Sequence, residues 1–176
     1  FHAPAEVCDA NTQQALFDAG IRYHLTGSQA TDSRLPFMAP VEGQKPDRRL
    51  VVMPRTQRDD LALLRDTQGD ISKLEQAVLD DLNTVVSHGG LGVLSLNSAQ
   101  FDESLSMQAT VTSLISHVRS QPQRIWLTNG RGVAEWWLGK ERFLVNSRLT
   151  GSRIELDLTI LGNRPYEHGT LIVILP

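Results

Sequence analysis

The sequence predicts an α/β chain that changes character near Lys140. Three observations carry that expectation. Before Lys140, short apolar strands alternate with segments whose apolar residues recur at helical spacing, as in parallel strands with covering helices. After it, Ile154, Leu156, Leu158 and Ile160 alternate with Glu155, Asp157 and Thr159, the period-two mark of a half-buried strand. Between these late strands, Gly151-Ser152 and Asn163-Arg164-Pro165 supply turn residues. The expected division is therefore a βα unit over 1–140 and an antiparallel β extension over 141–176. An extension of about three strands barely stands alone, so it should pack on the preceding unit.

The elements follow in order. Asp9 reads as the N-cap of a first helix, with Leu16 and Ala19 on its apolar side and Gly20 as its stop. Ile21 to Leu25 reads as a short strand. Thr26 to Asp47 reads as a long loop, either functional or a surface excursion hiding a further element. Leu50-Val51-Val52-Met53 is a compact buried strand stopped by Pro54. A polar loop carrying Asp59-Asp60 leads into Leu61-Ala62-Leu63-Leu64. Ile71, Leu74, Ala77, Val78, Leu82 and Val85 mark an amphipathic helix, with Ser72 and Glu75 as a capping box and Gly89-Gly90 as its end. Gly92 to Leu96 reads as a strand whose polar tip is Asn97. Met107, Val111, Leu114, Ile115 and Val118 form another helical stripe, ended by Pro122. Arg124 to Leu127 reads as a strand, and Gly132 to Leu138 as a short helix. Phe143 to Leu149, Arg153 to Leu161 and Gly169 to Leu175 read as the three late strands.

Composition excludes several function classes. A net charge of −3 and a pI near 5.9 argue against a nucleic-acid partner. No run approaches the ~18 apolar residues of a membrane span. Cys8 is the single cysteine, which leaves no internal disulfide, and it reads as a small, partly buried residue. The chain opens on Phe1 rather than Met, as a processed or cropped product would.

Chemistry has few places to sit. The carboxyl end of a strand in an α/β sheet is the usual location, which singles out Asn97. An amide hydrogen-bonds a sugar but does not shuttle protons near neutral pH. The five histidines show no metal-ligand spacing and there is no Cys/His cluster. His24, at the end of a strand, is better placed to line a cleft than His88, His117 or His168. Asp59-Asp60 reads as a helix cap, and Asp80 of Asp80-Asp81 as a solvated helix position. Gly130-Arg131-Gly132 is too short for a phosphate loop. Trp126 and Trp136-Trp137 are either faces on which a sugar ring stacks or cement for a second module.

Taken in order, several segments resemble the polysaccharide (carbohydrate) deacetylases of the NodB-homology type over roughly Phe1 to Leu138. Phe1-His2-Ala3-Pro4 followed by the Asp9–Gly20 helix is similar to the family segment in which an Arg-x-Pro motif precedes a helix ending Leu-x-x-x-Gly. Leu50 to Thr56 is similar to the next strand and loop, and Gly92 to Asn97 to the strand that ends Leu-x-x-His. Ile125 to Thr128 and Val133 to Trp137 are similar to the closing strand and helix. The resemblance implies a partial distorted (β/α) barrel with a small antiparallel β extension. It implies metal-dependent hydrolysis of N-acetyl groups on polysaccharides, in an extracytoplasmic location. It places Asn97 and His2 beside the acetyl group, with Pro4, Trp126 and Trp136 contacting substrate.

The chain departs from the family pattern in three ways. The aspartate pair and His-x-x-x-His metal motif have no counterpart, the motif arginine falls at His2, and the acid histidine falls at Asn97. Two explanations stand for the first departure: the carboxyl-terminal half of a longer protein, or a complete degenerate relative. The first is preferred, because half a barrel leaves strand edges uncovered. It gives as partners an acetylated polysaccharide or oligosaccharide and either the missing amino-terminal half or self-association. No cofactor is then held within this chain, and a divalent metal, zinc or similar, belongs to the full-length protein. Loss of a general acid costs ~10²–10⁴-fold in rate. Two functions therefore remain open: a deacetylase-like hydrolase, or an inactive pseudo-deacetylase acting as a glycan-binding or scaffolding module.

Overall fold

The computed structural model describes residues 1–2, 8–27, 34–41, 49–99 and 105–162. Pro4 and the expected strand from Gly169 to Leu175 lie outside the described residues. Contacts divide the chain into two units, Phe1–Gly130 and Arg131–Pro176.

The first unit holds a sheet and a group of helices. Asp9 caps helix α1 (Ala10–Asp18) by accepting the Thr12 N–H at 2.7 Å, as its position predicts. Strand β1 (Tyr23–Thr26) runs parallel to β3 (Arg49–Pro54), whose other edge pairs antiparallel with β2 (Phe37–Pro40). The sheet order is therefore β1-β3-β2. Strand β2 lies within the stretch expected as a long loop, where Pro36 and Pro40 mask a run of only four residues. Every residue of β3 after Arg49 is buried, as a central strand of continuous apolar residues requires. Leu16 of α1 packs with Val41 and Leu50 on this sheet, beside half-buried Cys8. Burial pushes the Cys8 thiol pKa up, which keeps it a packing residue.

Helices α2 (Asp60–Thr67), α3 (Ile71–His88) and α4 (Leu105–Arg119) form a second core. Leu63, Leu74, Val78 and Met107 are its buried centre. Asp70 caps α3 through the Lys73 N–H, so the expected capping box at Ser72 is displaced by one carboxylate two residues upstream. Arg58 ties the helices together: its Nε and Nη2 donate to Asp81 at 3.0 and 2.8 Å, and Nη2 also donates to the Ala77 carbonyl.

Two expected strands are not strands. Gly92 to Leu96 forms no strand and has no ladder partner among the described residues. Its flanks are held differently: the Thr56 hydroxyl donates to the Leu91 carbonyl, the Leu91 N–H donates to the Arg34 carbonyl, and Leu94 packs on the helical core. The apolar run that reads as a strand is thus a strap over the helices. At Arg124 to Leu127, the N–H groups of Arg124 and Ile125 return to the Gln121 carbonyl in a turn, leaving Trp126 and Leu127 exposed. Among the described residues, neither sheet closes into a barrel.

The second unit contains most of helix α5 (Gly130–Lys140) and the hairpin β4 (Phe143–Thr150) and β5 (Arg153–Ile160). The register pairs Val145 with Leu158 and Leu149 with Ile154, placing apolar residues on one face, and Arg148 with Glu155 on the other. The alternation predicts a half-buried strand, but every residue of β5 is exposed. The pattern specifies which face is apolar, not what covers it. No helix among the described residues is long and apolar enough to cross a membrane, in line with the absence of any long apolar run.

Two predictions follow from local packing. His24 on β1 is 1% exposed, and its Nε2 has no partner among the described residues. Burial lowers its pKa below the ordinary 6.5, against the Leu25 carbonyl, which raises it. The unfolded chain therefore binds a proton at higher pH than the folded one. The stability His24 contributes is fully present above pH 6.5 and is lost as pH falls through its depressed folded value. Thermal melts between pH 7.5 and 5 should show that loss, and His24→Phe should flatten it. The second concerns Gly90, where an added Cβ would lie 2.9 Å from the Arg34 carbonyl oxygen. Gly90→Ala should cost about 1–3 kcal/mol in urea unfolding, because a backbone oxygen cannot move aside as a side chain can.

Candidate active site

An open cleft of about 510 Å³ lies within the first unit. Its walls come from distant parts of the chain: His2, Arg55, Asp59, Asp60 and Leu61, and the run Ser95 to Asn97. Each is placed by a backbone device. The Phe1 carbonyl accepts the Leu25 N–H at 2.8 Å, which lays His2 alongside β1 in a parallel bridge. Pro54 ends β3, and the Arg55 N–H donates to the Thr26 carbonyl at 2.8 Å, so Arg55 emerges at the sheet's carboxyl end.

The acidic pair divides its work. Asp59 caps α2: Oδ1 accepts the Ala62 N–H at 2.7 Å, and Oδ2 accepts from Arg55 Nη1 at 3.3 Å. Asp60 is 3% exposed. Its Oδ1 accepts the Leu61 N–H at 2.8 Å, and its Oδ2 accepts the Asn97 N–H. In return its own N–H donates to the Ser95 carbonyl at 3.2 Å. These carboxylates sit in the first turn of a helix, where the dipole favours negative charge.

Asn97 is exposed at the cleft wall. Its Oδ1 accepts the Ala99 N–H at 3.1 Å, an Asx turn that aims the side chain. The Nδ2 donors have no protein partner among the described residues. An amide donor, an Arg55–Asp59 ion pair and an exposed Leu61 suit a neutral polar molecule with an apolar face, such as a sugar ring. A second cleft of about 470 Å³, on the far side of Arg55, Asp59 and Leu61, is lined by Thr56, Gln57, Arg58, Ala62 and Arg65.

The described residues contain no group of three or more His, Cys, Asp and Glu that could hold a metal ion. Within the cleft, each oxygen of Asp59 and of Asp60 accepts one hydrogen bond.

Of the sequence-predicted site residues, His2 and Asn97 share this cleft. Pro4 lies outside the described residues. Trp126 is 60% exposed and is not among the residues that line either cleft. Trp136 belongs to the second unit, with its ring 5.5 Å from that of Trp137, over which Lys140 Nζ stands at 4.5 Å. Sequence reasoning missed Arg55 and Asp60. The signal available was two adjacent carboxylates just past a strand stopped by proline, when one carboxylate suffices for a cap.

Asp59→Ala should destabilise the protein by about 1 kcal/mol in urea unfolding, whereas Asp59→Asn should cost a few tenths, since asparagine caps a helix as well as aspartate. Equal losses would mean that the Arg55 ion pair, not the cap, is the stabilising contact. Comparison of the chain with protein-family models, with curated proteins and with solved structures gives no match.

Proposed function

We propose that this chain is part of a polysaccharide deacetylase-like protein and that its cleft receives an N-acetylated sugar. The observation that supports this reading is that His2 and Asn97, which the family resemblance sets beside the acetyl group, line one cleft although they are 95 positions apart in the chain. An acetamido group presents one carbonyl acceptor and one N–H donor. Asn97 Nδ2 supplies a donor to the carbonyl, and the polar wall at Arg55 and Asp59 meets the sugar hydroxyls.

Between hydrolysis and binding, the chemistry of the cleft favours binding. Hydrolysis needs a proton donor for the departing amine, and an amide at residue 97 is not one. It also needs a polarised carbonyl, the task of a metal ion. Hydrolysis would draw a divalent metal, zinc or similar, from residues outside this chain, supplied by an amino-terminal half. The setting we propose is extracytoplasmic, where acetylated polysaccharides are met.

Calorimetric titration of the intact protein with an N-acetylglucosamine tetramer, with acetate assayed in parallel with and without zinc, tests this. The expected result is saturable binding without acetate release, weakened about 2–10-fold by Asn97→Ala, the loss of one hydrogen bond. Metal-dependent acetate release would establish the enzymatic reading instead. Neither binding nor release would overturn both.

A further inference from the structure

We infer that Asp60 is the positioning residue of the cleft: its carboxylate, reaching the Asn97 backbone, sets where the residue 97 amide stands. This rests on reading the cleft as a sugar site. Helix α2 does not need Asp60 as a cap, because Asp59 already satisfies the Ala62 N–H. Yet Asp60 is 3% exposed and no cation pairs with it among the described residues. A carboxylate buried in that way is costly unless hydrogen bonds compensate it. The compensation is specific. One oxygen takes the Leu61 N–H of its own helix, the other takes the Asn97 N–H, and the Asp60 N–H closes the loop on the Ser95 carbonyl. The segment over 92–96 has no strand partner, so this clasp replaces a ladder where the cleft wall is made.

Three measurements on the intact protein test it. In the wild type, the Asn97 amide proton should lie downfield, as a proton hydrogen-bonded to a carboxylate does, a readout that needs no variant. In Asp60→Asn, whose amide nitrogen cannot accept a hydrogen bond, exchange of the Asn97 amide should speed up at least about tenfold, while Val78 and Leu82 in α3 keep their rates. Affinity for the N-acetylglucosamine tetramer should fall similarly in Asp60→Asn and Asn97→Ala, and no further in the double variant. An Asn97 amide proton at an ordinary shift, equal acceleration in α3, or additive losses would overturn the inference. If the wild type binds no sugar while the shift and exchange behave as expected, the clasp stands and the reading of the cleft falls.

Discussion

A buried carboxylate at the start of α2 is the constraint on which the cleft depends. Asp60 joins two parts of the chain that share no ladder: the first turn of a helix and the strap. Without its carboxylate, the run from Ser95 to Asn97 would keep, among the described residues, the Asp60 N–H on the Ser95 carbonyl, Leu94 in the helical core and the contacts at Leu91. Hydrophobic packing fixes distance loosely, whereas a hydrogen bond to a fixed oxygen fixes direction. The cleft needs direction, because its most accessible donor group, the Asn97 amide, acts only if it points inward.

The sheet and the helical core make this clasp possible by giving it rigid ends. Strand β3 is buried after Arg49 and stops at Pro54, which delivers Arg55 and then Asp59 to one edge. Below, Leu63, Leu74, Val78 and Met107 close the helices on one another, and Arg58 joins the loop before α2 to α3 through Asp81. The cleft therefore lies where two packed layers meet a short connection, the usual setting for a site in an α/β unit.

Much of the frame was legible in the sequence because it depends on local chemistry. Asp9 and Asp59 cap helices as their positions predict, Gly89 ends α3 at a φ of 66°, and Leu50 to Met53 form the buried strand. The failures come from long-range contacts. Leu94 reads as strand because burial leaves the same apolar signature whatever the partner, and here the partner is a helical core. Strand β2 was hidden in a loop-like stretch because a four-residue run that ends in proline carries too little periodicity. Asp60 was missed because its role lies in a backbone 37 positions away. The alternating hairpin was legible in register and in face, but its exposure was not, since alternation does not name a cover.

The central claim is that the residues around His2, Arg55 and Asn97 hold an acetylated sugar. Chemical-shift mapping of the intact protein during titration with an N-acetylglucosamine oligomer tests it most directly. The account predicts saturable shifts at these three residues and at Asp59 and Leu61, with the hairpin silent. Shifts that avoid them and fall on Trp126 or Trp136 would contradict it.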